Sequence, residues 1–420
     1  MSLRFGRDFV SIPGPSVIPD RVLGAMHRAS PNIYEGPLVD MVAGLGPDLR
    51  KVAKAEAAGG VAIYVSNGHG AWEAALANTL SRGDKVLVLD AGRFAAGWGE
   101  IARHLGCEVE TIEAADGAPV DPAALEARLR ADPGGEIKAV LVVQVDTASS
   151  VVNDVPALRA AIDAAGHPAL FMVDCIACLG SIPFEFDGWG VDVMVAGSQK
   201  GLMTPPGLGF LWASDKARAH RGDLVTQYWN WDLRMDPEMF YQRFCGTAPT
   251  HLLFGLREAL TMLVVEEGVE AAWARHRVLA SAVRACVAEW ATAATETAGV
   301  GFHVADPAAR SDVVTTLSAR GFDPDAMRRF AESEMGLTLG TGLGRYQGRS
   351  FRIAHMGHLN PPMILGTLGA AEAALRAFGA PIASGLGAAA AVIAEALPAG
   401  GAADQSEAVI SRAAAAAAGE

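Results

Sequence analysis

The chain has 420 residues, 51% of them hydrophobic and 19% charged, which supplies a large core and excludes a wholly disordered protein. Lysine and arginine number 34 against 47 acids, a net charge of −13, so no body-wide basic field exists for nucleic acid or anionic lipid. Five cysteines are too few, and odd in number, for a disulfide scaffold. Taken in chain order, Val61–Val65 reads as a strand and Ala71–Leu80 as a helix. Lys85–Leu89 is a strand and Phe94–Leu105 a helix. Ala139–Val145 is a strand and Val155–Ala165 a helix. Leu170–Val173, Val191–Val195 and Gly209–Trp212 are further strands. Their hydrophobicity is continuous rather than alternating, which predicts strands buried on both faces of a mostly parallel sheet, an α/β fold. The aromatic segment Asp223–Gly246 reads as a surface excursion or a subunit contact. From His276 the pattern becomes α+β: a long helix His276–Ala294, strands Val313–Leu317 and Ser350–Ile353, and a helix near Asp325–Met335. The division expected is an N-terminal arm (1–15), a large domain (16–275), a small domain (276–380) and an Ala/Gly-rich tail (381–420). The start lacks the apolar run of a signal peptide. Ala377–Ala394, the longest stretch free of charge and histidine, is too poor in Leu, Ile and Phe for a membrane span. A cytoplasmic protein without nucleic-acid or membrane partners is expected.

Two residues carry the first chemical signal. Asp174 closes the strand LFMV, and Lys200 follows the strand VDVMV in AGSQKG. Ligands of open α/β sheets bind outside the carboxyl ends of the strands. Each residue alone reads more simply, Asp174 as a turn acid and Lys200 as a solvated loop lysine. Together they suit pyridoxal phosphate, whose aldehyde joins a desolvated lysine and whose ring nitrogen is kept protonated by a carboxylate. Ser66–Gly70 (SNGHG) joins a strand to a helix, where backbone N–H groups and the helix dipole favour a phosphate. A rival reading stays open. Gly68-x-Gly70 with Asp90 at the end of the next strand resembles a dinucleotide fingerprint of an NAD(P)-dependent oxidoreductase, although its third glycine position holds Glu73. The Cys175-x-x-Cys178 pair reads as buried thiols, and His355-x-x-His358 lacks a metal-site pattern, so no metal is expected. Arg352, in the strand SFRIA, calls for an anionic partner, either a structural acid or a substrate carboxylate.

These residues sit in segments that resemble the class V aminotransferases of fold type I, the alanine/serine/aspartate–glyoxylate group. The resemblance runs from PGPSVIPDRVLGAM through SNGHGAWEAALANTLSRGDKVL and SQKGLMTPPGLGF to LGTGLGRYQGRSFRIAHMGHLN and the tail GLGAAAA, which looks most like the bacterial serine–glyoxylate branch. It implies a seven-stranded large domain, a smaller C-terminal domain and a homodimer with active sites at the subunit interface. It implies transfer of an amino group from a small amino acid to glyoxylate or pyruvate, with pyridoxal phosphate as cofactor. By the same resemblance Lys200 is the cofactor lysine and moves the substrate proton, and Asp174 is the ring-nitrogen partner. Asn67, Gly68, His69 and Gln199 cup the phosphate, with Thr247 donated by the partner subunit. Thr147 lies by the ring oxygen, Phe94 against the ring, and Arg352 on the substrate carboxylate. Gly14, Pro15 and Tyr34 line the substrate pocket. Two segments depart from the serine and aspartate branches: Ile33-Tyr34-Glu35, and Gln144–Ser150 with its Asp146-Thr147 pair. Pyridoxamine–pyruvate relatives share a Tyr-acid and an Asp-Thr pair there, so an unusual amine donor is an alternative. A desulfurase would need a reactive loop cysteine that the resemblance does not single out.

Overall fold

The computed structural model describes residues 3–57 and 60–398. The segment SRAAAAAAGE and the rest of the tail beyond 398 lie outside them. Among the described residues fourteen strands occur in chain order: β1 (Phe9–Ser11), β2 (Val61–Val65), β3 (Lys85–Asp90), β4 (Glu108–Glu113), β5 (Ile137–Val143), β6 (Val145–Asp146), β7 (Val151–Val152), β8 (Leu170–Asp174), β9 (Val193–Gly197), β10 (Leu208–Ala213), β11 (Gly299–Phe302), β12 (Val314–Arg320), β13 (Leu337–Thr341) and β14 (Ser350–Ala354). Seven form the large sheet in the order β2-β10-β9-β8-β5-β3-β4. All neighbours in it are parallel except β10, which runs antiparallel to both β9 and β2. The apolar runs are the strands β5, β8, β9 and β10, nearly all of them buried. β4 (EVETIE) escaped the sequence reading because charges interrupt it. It lies at the sheet edge, where charged side chains reach water and block further pairing.

Helices fill both faces of this sheet. Val155–Ala165 illustrates the local logic: the Asp154 side chain accepts from the Ala157 N–H, Pro156 occupies the first turn, and Gly166 closes the helix in the left-handed region. Asp223–Gly246 proves anchored rather than a free surface excursion. Trp231 and Arg234 are buried, and the Arg234 guanidinium donates to the carbonyls of Gln227 and Tyr228, each at 2.8 Å. Asn78 fastens the same segment to the large sheet's helix layer through the Trp229 carbonyl (2.7 Å) and the Trp231 N–H (3.1 Å).

A five-stranded sheet, β1-β13-β14-β12-β11, builds the small lobe. The N-terminal arm enters it, because β1 pairs parallel to β13 and the Ser11 hydroxyl donates to the Ala354 carbonyl at 2.9 Å. β1, β11 and β13 are short or glycine-bearing and gave no sequence signal. The long helix runs Val269–Thr292, starting before His276 and passing unbroken through the expected boundary at 275/276. Part of the expected tail is a helix, Leu386–Ala396, packed on Val269–Thr292. Glu372 secures its approach, accepting from Ser384 Oγ, the Gly385 N–H and Trp290 Nε1, each at 2.9 Å. These donors hold its carboxyl down to about 2 against the cost of burial. No helix among the described residues is long and apolar enough to cross a membrane.

Candidate active site

The carboxyl ends of β2, β5, β8 and β9 open on a cavity of about 230 Å³. Its walls include Asn67, Gly68, His69, Phe94, Thr147, Asp174, Gln199 and Lys200, so the topology brings most of the expected site residues together.

Asp174 ends β8 and is buried. Its Oδ2 accepts from Trp72 Nε1 at 2.9 Å and its Oδ1 from the Ile176 N–H at 2.5 Å. Burial pushes the carboxyl up to about 7, and the two N–H donors oppose that rise by favouring the anion. Trp72 was not singled out in the sequence, yet it lies one helical turn beyond Gly68, which puts it on the face that looks into the cavity. Its ring also lies 4.5 Å from His69 and 6.4 Å from Phe94, centroid to centroid, so one indole supports two walls and the acid. Trp72→Phe removes a donor to the carboxylate. The expected result is an upward move of the Asp174 pKa by about one to two units in the apoprotein, read by titrating the carboxyl.

Lys200 follows β9 in the turn Ser198–Gly201. Its amine donates to the Pro13 carbonyl, the Ser16 hydroxyl donates to the Lys200 carbonyl at 2.7 Å, and the Ser16 N–H donates to the Gln199 carbonyl at 2.9 Å. Only glycine fits at position 14. Its φ is +103°, and a Cβ there would stand 2.2 Å from the Lys200 amine. Burial, helped by the Arg352 charge, lowers the amine to about 8 against the pull of Asp174. At pH 8 about half of such an amine is neutral, against well under one per cent of an ordinary lysine.

Arg352 on β14 is buried and forms no ion pair among the described residues. Its guanidinium donates to the Thr341 carbonyl (2.7 Å) and the Thr147 carbonyl (2.8 Å). Carbonyl partners satisfy N–H groups but carry no charge, and burial lowers the group to about 10 against the attraction of the non-contacting Asp146 carboxylate. The helix Gly68–Thr79 starts at the cavity. The Asn67 side chain is spent on capping it, accepting from the N–H groups of His69 (3.0 Å) and Gly70 (3.3 Å). Gln199 Oε1 is buried with no partner.

Other expected residues lie elsewhere in the single chain. Tyr34 is 86% exposed, Thr247 is exposed, and Pro15 lines a separate groove. The dinucleotide reading loses its footing at Glu73, which accepts from Trp229 Nε1 at 2.9 Å and sits where a third glycine would be needed. Cys175 and Cys178 both donate to Gln144 Oε1, at 3.4 and 3.1 Å, as buried thiols. His355 is buried between Thr315 Oγ1 and the Asp312 carbonyl, both at 2.9 Å, while His358 is exposed. Among the described residues no three His, Cys, Asp or Glu side chains could hold a metal ion.

The family model for aminotransferase class-V matches residues 48–344, a stretch that holds Asn67, Asp174 and Lys200. The chain belongs to the class V aminotransferases. It is 40% identical to the serine–glyoxylate aminotransferase of Methylorubrum extorquens, across 92% of this chain and 96% of that protein. It is 37% identical to the L-aspartate–glyoxylate aminotransferase of Paracoccus denitrificans, across 91% and 94%. Among solved structures, pyridoxamine–pyruvate aminotransferase from Mesorhizobium loti superimposes with a TM-score of 0.83 at 27% identity, covering 94% of this chain and all of that one. The class V aminotransferase fold thus accounts for the doubly covered parallel sheet with Lys200 and Asp174 at adjacent strand ends.

Proposed function

We propose that this aminotransferase binds pyridoxal phosphate on Lys200 and moves an amino group from a small amino acid, serine, alanine or aspartate, to glyoxylate or pyruvate. The observation that carries this reading is the desolvated Lys200 amine facing the buried Asp174 carboxylate across one cavity. The residues present suit the cofactor. A helix start with His69 beside it meets a phosphate, the unpartnered amide of Gln199 can turn its donor end to the same group, and Phe94 offers a flat wall. Pyridoxal phosphate, when bound, supplies an aldehyde for the amine and a protonated ring that withdraws electrons from the substrate.

This chain's own residues do the rest. Lys200, neutral near pH 8, takes and returns the proton at the substrate α-carbon. Asp174, held as an anion by Trp72 and Ile176, keeps a proton on the ring nitrogen. Arg352 forks onto the α-carboxylate, the contacting ion-pair partner it lacks among the described residues. Thr147 places a hydroxyl at the cavity wall. Gly14 lets the arm approach Lys200 closely enough to shield it from water. We assign the large domain to 16–275 and the small one to 276–380, with the helix Val269–Thr292 bridging the two and Leu386–Ala396 packed on it. Thr247 then serves the partner subunit of a homodimer, a role that its exposure in the single chain suits. Five free thiols agree with work in the cytoplasm.

Arg352→Ala should raise KM for both amino and oxo acid at least about tenfold, with a smaller change in kcat, in steady-state kinetics. It should also raise the Lys200 pKa, because the nearby positive charge is removed.

A second reading takes pyridoxamine as the donor to pyruvate. It rests on the Asp146-Thr147 and Tyr34-Glu35 pairs and on the likeness to the Mesorhizobium loti enzyme. Mixing the holoenzyme with serine, alanine, aspartate and, separately, pyridoxamine with pyruvate decides between the readings. Rapid loss of the cofactor's visible band with one of the amino acids supports the first. Conversion with pyridoxamine and pyruvate only supports the second. No conversion with any of them contradicts both.

A further inference from the structure

Asp146 ends β6, is fully buried and forms no ion pair among the described residues. Its charge and that of Arg352 attract without contact; a buried carboxylate with no cation touching it needs several N–H donors, and Asp146 has them. Its Oδ2 accepts from the Phe94 N–H at 2.7 Å, and its Oδ1 from the N–H groups of Ala148 (2.9 Å) and Ser149 (3.4 Å). These donors come from two segments distant in sequence. Phe94 lies in the first turn of the helix Arg93–Leu105, which starts at Gly92 and therefore has no capping side chain of its own. Asp146 supplies that cap from a segment distant in sequence, and its charge also suits the helix dipole.

The fit is built for this acid. A Cβ on Gly92 would lie 2.3 Å from the Asp146 carboxyl carbon, so glycine at 92 is what lets the carboxylate reach the helix. Ser149 adds a second tie between the same segments, its hydroxyl donating to the Ala91 carbonyl at 3.0 Å. The next residue, Thr147, lines the cavity and turns its carbonyl to Arg352 at 2.8 Å.

We propose that Asp146 is a positioning residue of the transaminase site. Its carboxylate, seated against Gly92, fixes the Phe94 wall and the Thr147 corner, and through Thr147 the direction of the Arg352 guanidinium. The proposal rests on the assignment of Lys200, Phe94 and Arg352 to cofactor and substrate made above. Asp146 touches neither cofactor nor substrate. It sets how well both are received.

The test compares the wild type with Asp146→Asn, Gly92→Ala and the double variant. Pyridoxal phosphate is titrated into each apoprotein, and KM and kcat are then measured for both substrates. Asp146→Asn keeps the volume but turns an amide N–H toward backbone donors. Gly92→Ala keeps the acid and only displaces it. Both are expected to weaken cofactor binding about tenfold or more and to raise KM for the oxo acid similarly, with kcat within about threefold. The double variant should be little worse than either single one, because both break the same contact. Cofactor affinity and KM within about twofold of wild type, with only a lower melting temperature, would overturn the proposal and leave Asp146 a fold residue. Fully additive single effects would overturn it too. Should the position-146 variants not fold, Gly92→Ala carries the same two outcomes alone. A wild type that takes up no pyridoxal phosphate sinks the cofactor reading itself, and with it this proposal. A wild type that does, beside unaltered variants, sinks this proposal only.

Discussion

Lys200→Ala is expected to lower kcat at least about 10⁴-fold, the upper end of what one positioned acid–base group contributes, and to abolish the visible absorbance that pyridoxal phosphate gives on the wild type. The loss should fall on kcat, because Arg352 and the cavity wall that receive the substrate stay in place. The fold should survive. Lys200 is a half-buried, desolvated cation whose amine, among the described residues, meets the Pro13 carbonyl and no acid, so its charge opposes folding rather than supporting it. The sign of that cost with pH is fixed by its depressed pKa. Below about 8 the amine is charged in both folded and unfolded chains, and the full burial cost is present. Between about 8 and the ordinary lysine value of about 10.4 the folded amine is neutral while the unfolded one is still charged, so stability recovers as pH rises. The apo wild type should therefore gain on the apo Lys200→Ala variant in melting temperature across that window. A gap that stays constant with pH would show that the amine is not desolvated in the fold.

Asp174→Asn is expected to reduce kcat roughly 10²–10³-fold, the cost of losing one preorganised electrostatic partner. The visible absorbance should persist, since Lys200 is untouched. An amide cannot hold a proton on a ring nitrogen by charge, and one of its two ends meets the N–H of Trp72 or Ile176 with a donor rather than an acceptor. In the wild type, Asp174 is raised to about 7, so its anionic form is present above that pH and is lost as pH falls through it. Titration of the apoprotein should show this ionisation. Trp72→Phe should move it to higher pH, and Asp174→Asn should remove it. Full activity in Asp174→Asn would place the ring's partner elsewhere.

Much of this was legible in the sequence because the residues concerned are bound by backbone chemistry. Strands buried on both faces read as unbroken apolar runs, so β5, β8 and β9 were found, and the residues that end or follow them became candidates at once. β4 and β13 were not, since an edge strand carries charge and a glycine-bearing strand carries little hydrophobic signal. Asp174 and Lys200 were visible because position at a strand's carboxyl end is a sequence property. Trp72 was not, and Asp146 was seen only as half of the Asp146-Thr147 pair, because their roles arise from contacts across the fold. The Trp72 indole reaches Asp174 from another element, and Asp146 caps a helix that begins far before it in the chain. Spacing on the helix after Gly68 could have flagged Trp72. Nothing local marks Asp146 as a cap, since its donor Phe94 is brought to it only by the pairing of β3 with β5. Glycine was misleading in one place: Gly68 and Gly70 suggested a dinucleotide turn, whereas the pairing of Glu73 with Trp229 shows the third position filled by a side chain with its own partner.

The most direct test of the central claim is chemical. The apoprotein would be incubated with pyridoxal phosphate, reduced with borohydride, digested, and its peptides mapped by mass spectrometry. The account predicts one phosphopyridoxyl group per chain, on Lys200, in a peptide that is missing from the Lys200→Ala digest. A label on a different lysine, or stoichiometric uptake with no label at all, would contradict it.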